Sequence, residues 1–330
     1  MNRNILRLAV PALGALIAEP LFLIVDAALV GHLGVTPLAG LGIASAVLQT
    51  IVGLMVFLAY STTPAVARKF GAGDPRGAVS VGIDGTWLAL ALGVVLAVVG
   101  ASAAPGLVSL FGAAPAVAAE ASIYLSISMA GLPAMLVVFA ATGLLRGLQN
   151  TITPLWVAGI GFAANALLNW LFIFGFGWGI AGSALGTVVA QWGMVLVYVV
   201  VIGRIARQHH APLRPHRAGL RGSARSGGWL FLRTVSLRVA MLLTIVVATA
   251  LGTEELAGYQ VVFTIFSTAA FALDALAIAA QALIGKSLGA GDLPAVRFVL
   301  RRTLQWGALF GLVVGAIIAA PSGVSGTAFT

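Results

Sequence analysis

Long apolar runs alternate with short polar breaks along the whole chain. Nine runs can be marked off, at 7–32, 38–66, 79–101, 117–144, 154–175, 181–203, 228–250, 256–284 and 298–320. A run of about 20 apolar residues crosses the hydrocarbon layer as a helix. In lipid only a helix or a closed barrel satisfies every backbone group. The pattern therefore predicts an all-α polytopic membrane protein with about nine transmembrane helices, and the longer runs predict tilting or kinking.

A repeat lies within this pattern. Gly71-Ala72-Gly73-Asp74 returns 218 positions later as Gly289-Ala290-Gly291-Asp292. The same shift lays Leu33-Gly34 on Leu251-Gly252 and Leu38-Ala39-Gly40 on Leu256-Ala257-Gly258. One hydrophobic unit of about two hundred residues used twice is the signature of duplicated transporter folds. The expected division is a six-helix lobe over 1–204, a basic cytoplasmic linker over 205–227 and a partial second lobe of three helices over 228–330. Residues 219–330 are what the chain holds of the second copy, so the second lobe is expected to be incomplete.

Composition agrees with a lipid-facing chain: 60% of residues are hydrophobic and 8% charged, with a mean hydropathy of +1.08, where soluble domains carry about a quarter charged residues. The 41 glycines suggest close helix packing. The few basic residues then set the orientation. Arg3 and Arg7 precede the first run; Arg68, Lys69 and Arg76 follow the second; Arg146 follows the fourth. Arg204, Arg207, Arg214, Arg217, Arg221 and Arg225 crowd the stretch after the sixth, and Lys286, Arg297, Arg301 and Arg302 follow the eighth. The breaks near Thr36, Pro115, Gly177 and Glu254-Glu255 carry no Lys or Arg. Every second loop is basic, which predicts an inner-membrane protein with its N-terminus and basic loops in the cytoplasm. The polybasic linker serves as a topology determinant or as a grip on anionic headgroups. The first run is too long for a secretory h-region and is interrupted by Glu19-Pro20.

Several chemistries drop out. There is no cysteine, which removes thiol redox work and Cys-ligated metals. The net charge of +9 lies in short loops rather than an aromatic-studded patch, so nucleic acid is not an expected partner. Gly-Ala-Gly-Asp lacks a preceding strand and a following Walker lysine, and reads as a tight turn. His209, His210 and His216 lie in the linker and His32 stands alone, so no metal cofactor is expected. With no ATPase or hydrolase motif, the chain reads as an ion-driven transporter rather than an enzyme, with no cofactor and no obligate protein partner.

Ionisable groups inside the runs carry what chemistry remains, since each costs several kcal/mol unless it faces a cavity or partner. Asp26 lies deep in the first run and Glu19 seven residues earlier on the same face. Pro20, beside Glu19, cannot donate to the carbonyl of Leu16 and weakens the helix there. A carboxylate held from water can take up and release a proton near neutrality, or meet Na⁺. Its other reading is a structural hydrogen bond to a neighbouring helix. Asp274, in the middle of the eighth run, either handles an ion or pairs with Arg238 of the seventh; Asp84, near a cytoplasmic end, reads as solvated. Asn165 and Asn169 share a face of the fifth run and Thr187 lies in the sixth; such groups coordinate Na⁺, hydrogen-bond a carboxylic acid, or join helices.

The order and spacing of several motifs resemble the multidrug and toxin extrusion (MATE) transporters: Arg146-Gly147-Leu148-Gln149-Asn150-Thr151-Ile152-Thr153-Pro154, Asn165-Ala166-Leu167-Leu168-Asn169-Trp170, and Gly179-Ile180-Ala181-Gly182-Ser183-Ala184. Glu19-Pro20-Leu21, Val25-Asp26, Phe231-Leu232-Arg233-Thr234 and Asp274-Ala275-Leu276-Ala277-Ile278-Ala279 are similar to the DinF-like branch. The resemblance implies two six-helix lobes around a central cavity and exchange of H⁺ or Na⁺ for drug-like small molecules. It makes Asp26 the cation-coupling residue, with Asn165, Asn169 and Thr187 at matching positions. Some relatives have an aspartate at the position of Asn169, and its absence favours H⁺ over Na⁺. Helices ten to twelve of the family pattern are missing, which leaves a fragment of a longer protein or a degenerate gene product as expectations. The leading expectation is export of amphipathic or cationic organic compounds by alternating access. The others are a transport-inactive membrane protein and a lipid-linked precursor flippase, the latter disfavoured because no deep Lys or Arg is expected in the first six runs.

Overall fold

In the computed structural model, residues 2–319 are described, apart from the side chains of 217, 218, 226, 249, 251, 253–257, 260, 261, 268 and 317–319. The tail at 321–327, expected to be a span-ending loop, lies outside the described residues, as do the side chains at 254 and 255. Eleven α-helices run in order among the described residues: α1 (Asn2–Gly31), α2 (Val35–Met55), α3 (Phe57–Gly71), α4 (Pro75–Ser109), α5 (Pro115–Ser128), α6 (Leu132–Gly147), α7 (Ile152–Trp170), α8 (Gly179–Gln208), α9 (Arg217–Leu251), α10 (Thr253–Gly289) and α11 (Leu293–Ala319). Among the described residues, eight segments are long and apolar enough to cross a membrane. The predicted runs fall on these helices. The second is divided at Val56 into α2 and α3, and the fourth by a 3-10 turn, Met129–Gly131, into α5 and α6. Val94, Val95, Val98 and Val99 stand exposed on α4, as a lipid-facing wall requires.

Pro20 does not break its helix. α1 runs unbroken through Pro11 and Pro20, because a membrane helix tolerates the loss of one donor where neighbouring groups re-satisfy the backbone. The basic stretch 205–227 also differs from a linker. Helix continues to Gln208 and resumes at Arg217, leaving only His209–His216 as connection. That connection folds back along α4: Trp87 Nε1 donates to the Leu213 carbonyl at 2.9 Å, and the His216 backbone N–H donates to Asp84 Oδ1 at 2.8 Å. Asp84 is therefore not solvated. It is 2% exposed and accepts from the backbone at the start of α9, where the helix dipole favours a negative charge.

The duplication is visible in three dimensions. Shifted by 218, the bounds of α10 and of α2 with α3 coincide, and α11 begins where α4 does. Asp74 Oδ1 accepts from Gly77 N at 2.7 Å, and Asp292 Oδ1 accepts from Ala295 N at 3.0 Å, the same cap in each copy. Gly73 and Gly291 take the same left-handed turn, at φ 76° and 72°. The two copies meet where α3 lies against α10. A methyl group placed on Gly71 would strike the carbonyl of Lys286, and one on Gly289 would strike the carbonyl of Arg68. Lys286 and Gly289 are the shifted counterparts of Arg68 and Gly71, so the contact is reciprocal. On Gly285 a Cβ would come within 2.8 Å of the Cβ of Ala67, its own counterpart. The local two-fold axis thus passes through this seam, where only glycine lets two backbones approach so closely.

Candidate functional site

Between the copies lies a cavity of about 420 Å³, walled by α1 to α3, α5 to α8, α9 and α10. Its lining is largely apolar and aromatic, including Phe22, Tyr60, Phe139, Phe162 and Phe271. Glu19 and Asp26 face it from α1, and Arg146 and Arg238 from α6 and α9.

Asp26 is 4% exposed and sits against three neighbouring helices. Its Oδ1 accepts from Ser183 Oγ at 2.6 Å and from Asn169 Nδ2 at 2.8 Å. Its Oδ2 accepts from Tyr124 OH at 3.2 Å. Behind this shell, Asn169 Nδ2 also lies 3.3 Å from Asn165 Oδ1, and Asn165 Nδ2 donates to Thr187 Oγ1 at 2.9 Å. The sequence-predicted group of Asp26, Asn165, Asn169 and Thr187 is therefore gathered in one place. Two of the carboxylate's three donors, Tyr124 and Ser183, were not singled out by the sequence reading. Ser183 had a usable signal: it precedes Thr187 by four residues on one face of α8, the spacing that drew notice to Asn165 and Asn169. Tyr124 had none, being a phenol in an apolar run.

The arrangement surrounds a buried carboxylate with neutral donors, and no ion pair reaches it among the described residues. A carboxylate taken from water needs such donors, since burial of an unpaired polar or charged group is costly. Asn169 Oδ1 is buried and has no hydrogen-bond partner among the described residues, while its Nδ2 faces the carboxylate.

The remaining candidates fall elsewhere. Glu19 lines the cavity without joining the Asp26 cluster, and Pro20 sits inside α1 beside it. Asp274 does not pair with Arg238; its Oδ2 accepts from Tyr60 OH at 2.9 Å. Arg238 instead lies against Gly53 of α2, where the smallest residue leaves room for the guanidinium. Arg146 is a second correction. The last turn of α6 packs it inward to 8% exposure, where it lines the cavity and its Nε has no hydrogen-bond partner among the described residues. A buried arginine therefore stands on the cavity wall just past the fourth run, where only a loop cation was expected. The second copy does not repeat the acidic site: 218 positions after Glu19, Pro20 and Asp26 stand Leu237, Arg238 and Thr244.

A duplicated helical bundle with long apolar helices, a central cavity and a buried acid beside it defines an integral membrane protein. The chain belongs to the MatE family, whose sequence model matches residues 11–171 and 231–330. It is 32% identical over 96% of its length to Protein DETOXIFICATION 44, chloroplastic, of Arabidopsis thaliana, covering 63% of that protein. It is 27% identical over 88% of its length to the DNA damage-inducible protein F of Escherichia coli strain K12, covering 64% of it. The chain thus spans less than two thirds of either relative. A crystal structure of MATE in the bent conformation superposes with a TM-score of 0.88 at 23% identity, over 99% of this chain and 74% of that one.

Proposed function

We propose that the protein is a cation-coupled antiporter that exports amphipathic or cationic organic compounds across the cytoplasmic membrane by alternating access. In this reading 1–204 and 228–330 act as two lobes about the cavity, with the N-terminus and basic loops in the cytoplasm. Asp26 is the coupling group and the proton its ion. The observation that carries the reading is Asp26 itself, buried beside the cavity and held by Ser183, Asn169 and Tyr124 with no counter-charge among the described residues.

A proton is supported over Na⁺ by the donor pattern. Asn169 presents its N–H to the carboxylate, and Asn165 uses both ends of its amide on Asn169 and Thr187. Few oxygen lone pairs remain to enclose a hard cation, which takes several oxygen ligands. A carboxylic acid needs one acceptor, and the unpartnered Asn169 Oδ1 supplies it after a half-turn of the amide. Neutralising Asp26 then releases the donors that tie α1 to α5, α7 and α8, and α1 shifts beside Pro20.

The test is efflux of a fluorescent organic cation from vesicles with an imposed pH gradient. Asp26→Asn keeps the shape and removes the titration; it is expected to abolish gradient-driven efflux while leaving substrate binding measurable. Full efflux by this variant would overturn the reading. A second reading has its own observation: Arg146 and Arg238 on the cavity wall suit an anionic headgroup. It would require an anionic amphiphile, rather than the organic cation, to follow the gradient.

A further inference from the structure

Beside the seam, at the basic end of the bundle, a separate cavity of about 320 Å³ opens between α1, α3 and α10. Arg7 enters it from α1 and Lys286 from α10, with the side-chain amides of Asn4 and Gln149 beside them. No Asp or Glu lines it, and neither cation belongs to an ion pair among the described residues. Two features hold its shape. The Lys286 ammonium rests over the Phe70 ring at 5.6 Å. Gln149, at φ 66°, donates from Nε2 to the Ala282 carbonyl at 2.9 Å, fixing the loop after α6 onto α10.

Two like charges brought to one small cavity without a counter-charge are completed by an anion. The guanidinium fork and the ammonium both suit phosphate, and the amides add neutral donors. We propose that this pocket binds a phosphate group, of an anionic phospholipid or of a soluble phosphate ester, and so ties α1 to α10 across the seam. The setting fits a lipid: Leu6 and Val10, flanking Arg7 on α1, are 51% and 61% exposed, a surface for acyl chains beneath a headgroup.

The test measures lipid retained by the full chain in neutral detergent by native mass spectrometry, with phosphatidylglycerol against phosphatidylcholine. Each cation removed is expected to weaken phosphatidylglycerol binding roughly fivefold, and both together roughly thirtyfold. The variants are Arg7→Gln, Lys286→Gln and their combination. Arg7→Lys with Lys286→Arg keeps charge and is expected to keep most of the binding, which controls for misfolding. Arg297→Gln with Arg301→Gln removes two exposed charges outside the pocket and is expected to change little. Displacement of the lipid by inorganic phosphate would assign a soluble phosphate ester; retention of the lipid under phosphate assigns the headgroup. Unchanged lipid binding by Arg7→Gln with Lys286→Gln, or an equal loss in the Arg297 and Arg301 control, overturns the proposal.

Discussion

Adding one methyl group to each side of the seam tests whether the two copies share a single point of closest approach. A Cβ on Gly71 would lie 2.6 Å from the carbonyl carbon and 2.8 Å from the Cα of Lys286, with the oxygen closer still. These are backbone atoms of a helix, so no side chain can swing aside. The helices must part by roughly 1 Å to restore carbon–carbon spacings of about 3.5–4.0 Å. Overpacking of this kind costs about 1–3 kcal/mol. Alanine returns up to about 1 kcal/mol through helix propensity, and less here because Gly71 ends α3. The expected net loss is roughly 1–2 kcal/mol for Gly71→Ala and the same for Gly289→Ala. Because both methyl groups press on one gap, parting the helices for the first makes room for the second. The double variant should therefore cost less than the sum, by at least about 0.5 kcal/mol, the range of coupled neighbours. Unfolding in mixed micelles titrated with sodium dodecyl sulfate, followed by tryptophan fluorescence, gives the four stabilities. If the two costs add within about 0.3 kcal/mol, the shared seam is refuted; so it is if either single variant is more stable than the parent.

Other expectations follow from single contacts. Ser183→Ala removes the 2.6 Å bond to Asp26; bonds to charged groups contribute about 1.5–3 kcal/mol, so transport at fixed pH should fall roughly tenfold or more, and an unchanged rate would show that the hydroxyl does not hold the carboxylate. Asp84→Ala should loosen the start of α9 at a cost of about 0.5–2 kcal/mol and speed tryptic cleavage at Arg207, while Asp84→Asn, which keeps an acceptor for the His216 N–H, should behave like the parent. Tyr60→Phe and Asp274→Asn should be coupled in a stability cycle, whereas Arg238→Gln and Asp274→Asn should add within about 0.3–0.5 kcal/mol; the reverse pattern would restore the Asp274–Arg238 pair.

Much of this architecture could be read from apolar run length and the 218-residue repeat, because both are one-dimensional consequences of crossing a bilayer twice with the same unit. The Asp26 group was legible for a related reason: a carboxylate and paired amides stand out in a chain with 8% charged residues. What escaped depended on the chain returning to itself. Asp84 is buried only because the connection before α9 folds back onto α4. Arg146 looked like one more loop cation until the last turn of α6 packed it inward. The divide at Val56 has no proline beside it to announce it, and the nearest glycine, Gly53, lies within α2. Pro20, conversely, announced a weak point through which α1 nonetheless continues.

The position of Asp26 has an energetic corollary, since its counterpart in the second copy is Thr244. If Asp26 alone carries the ion, each cycle draws on one proton. A proton crossing 100 mV releases about 2.3 kcal/mol, and one pH unit adds about 1.4 kcal/mol. Together these sustain at most a several-hundredfold concentration ratio, roughly, for an uncharged solute. An ancestor with an acid in both halves could have squared that ceiling, at the expense of needing two protons for every molecule expelled.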